Sequence, residues 1–162
     1  MDKQTLSYAE WRKSAENGSR QAAPSQVFKL VTPDVQVMDD RCIKFTVTTG
    51  NPDRERDVVM SSGVDLGPFM KSPVITWAHD YKALPIGRAV SVEMLPNSIQ
   101  MVIQFATADL NPMADQVFRM VLAGYLRATS IGFRPLEWSY NEERRGVDFQ
   151  KVELLEVACV PI

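Results

Sequence analysis

The chain has 162 residues, 45% of them hydrophobic and 23% charged, a composition that suits one globular domain with a substantial core rather than a disordered tail. A formal net charge of −2 gives no electrostatic drive toward nucleic acid or an anionic membrane, and no apolar run is long enough to span a bilayer. Two distant cysteines, Cys42 and Cys159, and a single histidine, His79, make neither a disulfide framework nor a Cys/His zinc pattern, so no metal and no cofactor are expected.

In chain order, residues 1–26 read as an arm. Ser7-Tyr8-Ala9-Glu10 is a capping box that opens a short helix, Gly18 is its stop, and Asn17 to Ser25 is a small, polar linker. The arm lacks an apolar leader and is expected to be an appendage to a domain over residues 27–162. Arg41 to Thr49 is a β-branched strand broken by Gly50-Asn51-Pro52-Asp53. Asp57 to Met60 is a short strand, Pro68 to Lys71 a single helical turn, and Val74 to Trp77 a buried strand. Gly87 to Leu95 and Ile99 to Ala106 alternate with period two around a Pro96-Asn97-Ser98 turn, which predicts a hairpin. Asn111 to Tyr125 is the one long helix, with Asn111 as cap and Pro112 in its first turn. Met113, Val117, Met120, Val121 and Gly124 form its expected core stripe. Leu126 to Tyr140 and Gly146 to Val160 are two extended segments joined at Asn141 to Gly146. The tally is about seven strands and one main helix. It predicts an α+β, mainly β fold: a closed or strongly curved antiparallel β-barrel with one packed helix.

Three short signals carry chemistry. His79 follows the apolar run Val74 to Trp77 and precedes a turn ended by Pro85 and Gly87. An imidazole has its ordinary pKa near neutrality and suits general acid–base work, although a lone histidine is more often structural. Ser130 shares strand parity with Ala128 and Gly132, which makes a floor of small residues with Thr129 on the opposite face. Gly132 would let a substrate strand add there, beside Ile131 and Phe133. Late in the chain, Val152, Leu154, Glu156, Ala158 and Val160 share the more apolar parity. Glu156 there needs a partner such as an imidazole N–H. Glu153, alongside Lys151, reads as the solvated alternative, and a bulge would exchange the two. Nucleophile, base and acid are the parts of a serine hydrolase. Arg127, Arg134 and Arg88 are candidates for oxyanion support. A thiol alternative pairs His79 with Cys159, which parity places opposite Glu156.

The ordered set Asp57 to Met60, Phe69 to Asp80, Pro85-Ile86-Gly87-Arg88-Ala89, Ser130-Ile131-Gly132-Phe133 and Leu155 to Pro161 resembles the prohead proteases of tailed bacteriophages, of the HK97-like type. The resemblance implies a fold like the herpesvirus assembly proteases. It implies a serine endopeptidase that acts inside the immature capsid in the host cytoplasm. Such enzymes cut scaffold, the scaffolding segment of the major capsid protein and often themselves. The resemblance carries over Ser130 as nucleophile, His79 as general base and Glu156 as the acidic residue of the last motif. It implies scaffold and major capsid protein as partners, without nucleic acid or membrane, and leaves a homo-oligomer open. Two positions depart from the pattern: Ala158 stands where serine is common, and Pro161-Ile162 replaces the usual Pro-Ala continuation. A chain ending so soon after Glu156 is expected to be shortened or self-processed. The rival expectation is a non-catalytic capsid-assembly module that binds scaffold on the same barrel.

Overall fold

The computed structural model describes residues 6–19, 21–31 and 35–162. Its elements, in order, are α1 (Tyr8–Glu16), β1 (Val27–Val31), β2 (Val35–Val37), β3 (Cys42–Thr49), β4 (Val58–Val59), a 3-10 turn (Ser61–Gly63), β5 (Val64–Asp65), α2 (Gly67–Met70), β6 (Val74–Trp77), β7 (Gly87–Leu95), β8 (Ser98–Phe105), α3 (Pro112–Leu122), β9 (Ala128–Asn141) and β10 (Gly146–Val160). The strands form one strongly curled sheet with the order β1-β9-β10-β6-β7-β8-β3-β2. The curl brings β3 back toward β9, where Thr129 Oγ1 lies 3.5 Å from the carbonyl oxygen of Thr46. Among the described residues, β1 and β2 remain its unpaired edges.

The mainly β, strongly curved architecture is the expected one, with two differences in detail. The described residues form ten strands rather than about seven, because β2, β4 and β5 are only two or three residues long and carry no periodic signal of their own. The sheet is also not purely antiparallel. The long β10 pairs antiparallel with β9 on one side and parallel with β4, β5 and β6 in succession on the other.

Period two predicts the β7–β8 hairpin well: Ile99, Met101, Ile103 and Phe105 all point into the core. On β7 a register shift at Val90 leaves that side chain exposed and turns Ala89 inward. Helix α3 buries Ala114, Val117 and Val121 and sets Phe118 against Phe105. Met113 and Met120, expected in the core stripe, are exposed, because the buried arc of α3 is narrower than its apolar arc.

The arm is not a loose appendage. The capping box at Ser7 and Glu10 forms as expected, but α1 then inserts Trp11 into the same core as the curled sheet. Its ring packs edge-on against Trp138 of β9 and stacks on Phe149 of β10. A charged latch fixes the next segment. Lys29 on β1 is buried, with Nζ 2.6 Å from Asp57, 2.7 Å from Glu55 and 2.8 Å from Asp53. Asp57 also accepts from Tyr8 Oη and, at 2.7 Å, from the Val147 N–H. Its carboxyl stays below the usual range: burial alone would raise it, but the Lys29 ammonium and these donors outweigh that cost. The three carboxylates could resemble a cation site, yet the ammonium already sits among them. Residues 1–5 of the expected arm and Arg20 of the expected linker lie outside the described residues.

Candidate active site

Three adjacent strands and one tight turn assemble the site. β9 is central, with β1 on one side and β10 on the other; Ser130 lies opposite Leu30 and Ala158, and Gly132 lies opposite Phe28 and Glu156. Ser130, Gly132, Glu156 and Ala158 thus share one face of the sheet, while Ile131, Phe133, Val157 and Cys159 belong to the core. A small satellite cluster of Ala128, Ala158, Val160 and Leu30 lies on this face beside Ser130.

The chain leaves β6 through Ala78 and His79, both with left-handed backbone (φ 48° and 59°). Two consecutive non-glycine residues in that region cost roughly 1–2 kcal/mol each. The turn is pinned by Ala78 N–H donating to Cys159 O at 2.8 Å and Asp80 N–H donating to Trp77 O at 2.9 Å. It folds the imidazole back over β9 and β10. There His79 Nε2 lies 2.9 Å from Ser130 Oγ, and His79 Nδ1 lies 3.0 Å from Glu156 Oε1. The second contact is close but bent: Nδ1 is at ion-pair distance without a well-aligned N–H···O line. Phe28 from β1 covers the imidazole, with ring centroids 4.3 Å apart.

Glu156 Oε1 also accepts from Tyr81 Oη and, at 3.0 Å, from Gln26 Nε2; Oε2 faces Thr76 Oγ1 at 3.4 Å. Burial would push this carboxyl up, but the donors His79, Tyr81 and Thr76 hold it below the ordinary range. An anionic carboxylate can only accept, which assigns the imidazole proton to Nδ1 and leaves Nε2 to accept from the Ser130 hydroxyl. That is the protonation pattern a nucleophilic serine needs.

A bulge does lie between Glu153 and Glu156, but it does not exchange the two as expected. The β9–β10 register shifts between Leu154 and Glu156, so Leu154 faces the core and Glu156 faces Ser130. Glu153 pairs with Arg134 across the ladder and does not approach His79. Asp80, beside the histidine, instead caps its own turn by accepting from Lys82 N–H at 2.9 Å.

The expected substrate-binding residues need correction. Ile131 and Phe133 are fully buried in the core, and β9 is already paired on both edges across residues 129–133, so no substrate strand can add there. Gly132 serves another purpose. A Cβ at that position would come within 2.8 Å of Glu156 Cγ, Glu156 Oε1 and Gln26 Nε2, so the missing side chain makes room for the carboxylate. The arginine candidates are engaged elsewhere: Arg134 with Glu153, and Arg88 with Gln104 Oε1 at 3.0 and 3.3 Å. Arg127 lies just before β9, beside Gly124. Cys159 is 2% exposed on the core face, and burial pushes its thiol up to about 12, which removes the thiolate a cysteine hydrolase would require. Tyr81, Gln26, Thr76 and Phe28 were not singled out from sequence. None stands in a pattern that marks chemistry, although Thr76 and Tyr81 flank the histidine turn.

Comparison with known proteins adds three observations. A family model described as caudovirus prohead serine protease matches residues 34–162. The prohead protease of Escherichia phage T5 is 29% identical over 125 residues, which cover 74% of this chain and 57% of that relative's length. The solved structure of the bacteriophage T4 capsid assembly protease superposes with a TM-score of 0.59 at 8% identity, covering 84% of this chain and 96% of that one. At so low an identity the last match speaks for the fold alone.

Proposed function

The chain belongs to the caudovirus prohead serine protease family, and from that premise we propose that it is a serine endopeptidase of procapsid maturation, with Ser130 as nucleophile, His79 as general base and Glu156 as the group that orients the base. The observation that carries this reading is the continuous contact from Ser130 Oγ through both imidazole nitrogens to Glu156 Oε1, at 2.9 and 3.0 Å. The side chains come from β9, β10 and the turn after β6, between 26 and 77 positions apart in the chain, so local packing alone gives no reason for them to meet.

In the proposed reaction, Nε2 removes the Ser130 proton as Oγ attacks a peptide carbonyl. The tetrahedral intermediate collapses with cleavage of the C–N bond, and the imidazolium returns its proton to the departing amine. Water then attacks the acyl ester with His79 again as base, releasing the acid and restoring Ser130. Glu156 stays anionic throughout and stabilises the imidazolium. Scaffold, the scaffolding segment of the major capsid protein and the chain itself are the proposed substrates, cut inside the procapsid in the host cytoplasm.

Co-expression with the coat protein tests this. Wild type should shorten the coat protein, and Ser130→Ala should leave it intact, since loss of a serine nucleophile costs three or more orders of magnitude in rate. Coat protein bound but uncut by both would contradict the reading and favour a non-catalytic assembly module.

A further inference from the structure

Glu156 has more donors than a histidine partner requires. His79 Nδ1, Tyr81 Oη and Gln26 Nε2 all converge on Oε1, whereas Oε2 meets only Thr76. Gln26 Nε2 also lies 3.0 Å from Tyr81 Oη, which closes a small ring of contacts around one carboxylate oxygen. Tyr81 is 64% exposed, so little apolar burial fixes its ring; its polar contacts give it its place. Gln26 immediately precedes β1, whose position is set by five paired residues on β9 and by the buried Lys29 latch. Gln26 and Phe28 both lie ahead of residue 34, outside the stretch that the family model matches.

We propose that Tyr81 and Gln26 are positioning residues that aim the Glu156 carboxylate at His79, so that the stretch from Gln26 into β1 is a working part of this chain's active site. The inference rests on the reading of Ser130 as nucleophile. Its physical basis is economical. Two neutral donors keep the carboxylate ionised and restrict its rotation without adding a competing charge. The bent Nδ1–Oε1 contact leaves little tolerance for further rotation. Gly132 provides the space in which this arrangement fits.

Among the described residues, the partners of the carboxylate come from a few elements. The turn after β6 offers His79 and Tyr81, and β6 offers Thr76. The β1 side offers Gln26 and Phe28, and β9 offers Gly132. The next charged pair along β9 and β10, Arg134 with Glu153, is neutralised within itself. Substitutions at Tyr81 and Gln26 therefore act on the carboxylate with little compensation from elsewhere.

The test is the rate of fluorophosphonate labelling at Ser130 from about pH 5 to about pH 9, with melting temperatures measured in parallel and Ser130→Ala as the blank. Tyr81→Phe removes one O–H and keeps the ring. Its plateau rate should fall roughly 10-fold, the scale of one charge-assisted hydrogen bond, and its acid limb should move to higher pH with the melting temperature unchanged. Gln26→Glu matches glutamine in shape but places a second anion beside Oε1. Its acid limb should move further than that of Gln26→Ala, because a second anion beside Oε1 stabilises the protonated imidazole of His79. Rates within about twofold of wild type (RT ln 2, about 0.4 kcal/mol) and unmoved limbs in all three variants would overturn the inference while leaving the nucleophile reading intact. A loss that follows only a falling melting temperature, with unmoved limbs, would also overturn it. Absence of labelling at Ser130 in wild type would remove the nucleophile reading itself.

Discussion

Glu156→Gln separates charge from shape at the centre of the site. The amide is close to isosteric, and with its oxygen in the place of Oε1 it could still accept from His79, Tyr81 and Gln26 while its NH2 faces Thr76. What disappears is the negative charge. An imidazolium forms only while the serine proton is in transit, so its attraction to Glu156 lowers the transition state and not the resting enzyme. At 3.0 Å and an effective dielectric near 20, that attraction is about 5.5 kcal/mol. The histidine side chain is 19% exposed and the glutamate side chain 8%, so water screens part of it. Full expression would cost about 10⁴ in rate, and half of it about 10². The expected fall in the fluorophosphonate labelling rate of Ser130 therefore lies between roughly 10² and 10⁴-fold, with the melting temperature little changed. A loss smaller than about 3-fold (about 0.65 kcal/mol) would refute the electrostatic role and reduce Glu156 to packing.

Gly132→Ala should abolish most labelling, because the new Cβ displaces the Glu156 carboxylate and the Gln26 amide; wild-type labelling would show that the glycine is not needed for space. Trp11→Ala should destabilise the whole fold by about 3–5 kcal/mol, measured by urea unfolding, since Trp11 is 1% exposed in the shared core; a change below about 1 kcal/mol would restore the arm to a loose appendage. Asp57→Asn should cost about 2 kcal/mol, less than a buried ion pair losing its sole partner, because Lys29 keeps Asp53 and Glu55. The pH dependence follows from the same residue. Folding lowers the Asp57 pKa from 3.8, so the unfolded chain binds the proton more tightly. The stabilisation is thus complete above the unfolded value and disappears as pH falls through the folded one. Melting temperature should drop below about pH 4 in wild type and drop less steeply in Asp57→Asn; parallel acid limbs would contradict the assignment.

Much of the site was legible because its signals are local. His79 stands alone after an apolar strand, and Ser130 sits among Ala128 and Gly132 at strict period two. Glu156 is also singled out by the sequence, but through a parity that the structure revises: the bulge at Leu155 means that it shares a face with Ala158 and Val160 and not with Leu154. A bulge leaves no mark in hydrophobic alternation, and the one at Val90 is equally silent. The parallel pairings of β10 with β4, β5 and β6 were hidden because strands of two to four residues are too short for periodicity. Gln26 and Tyr81 were missed because their role is fixed by what lies across the sheet, not by neighbours in the chain. The expectation of substrate at Ile131 to Phe133 failed for the same reason: β1 occupies the edge that the sequence left open. Trp11 in an amphipathic capped helix was the available hint that the arm packs, since a large aromatic gains most by burial.

The most direct measurement is peptide mapping by mass spectrometry after treatment with a fluorophosphonate. A single phosphonyl adduct on the peptide bearing Ser130, lost in Ser130→Ala and strongly slowed in His79→Ala, is the predicted result. An adduct on another residue, or equal modification of wild type and Ser130→Ala, would contradict the account.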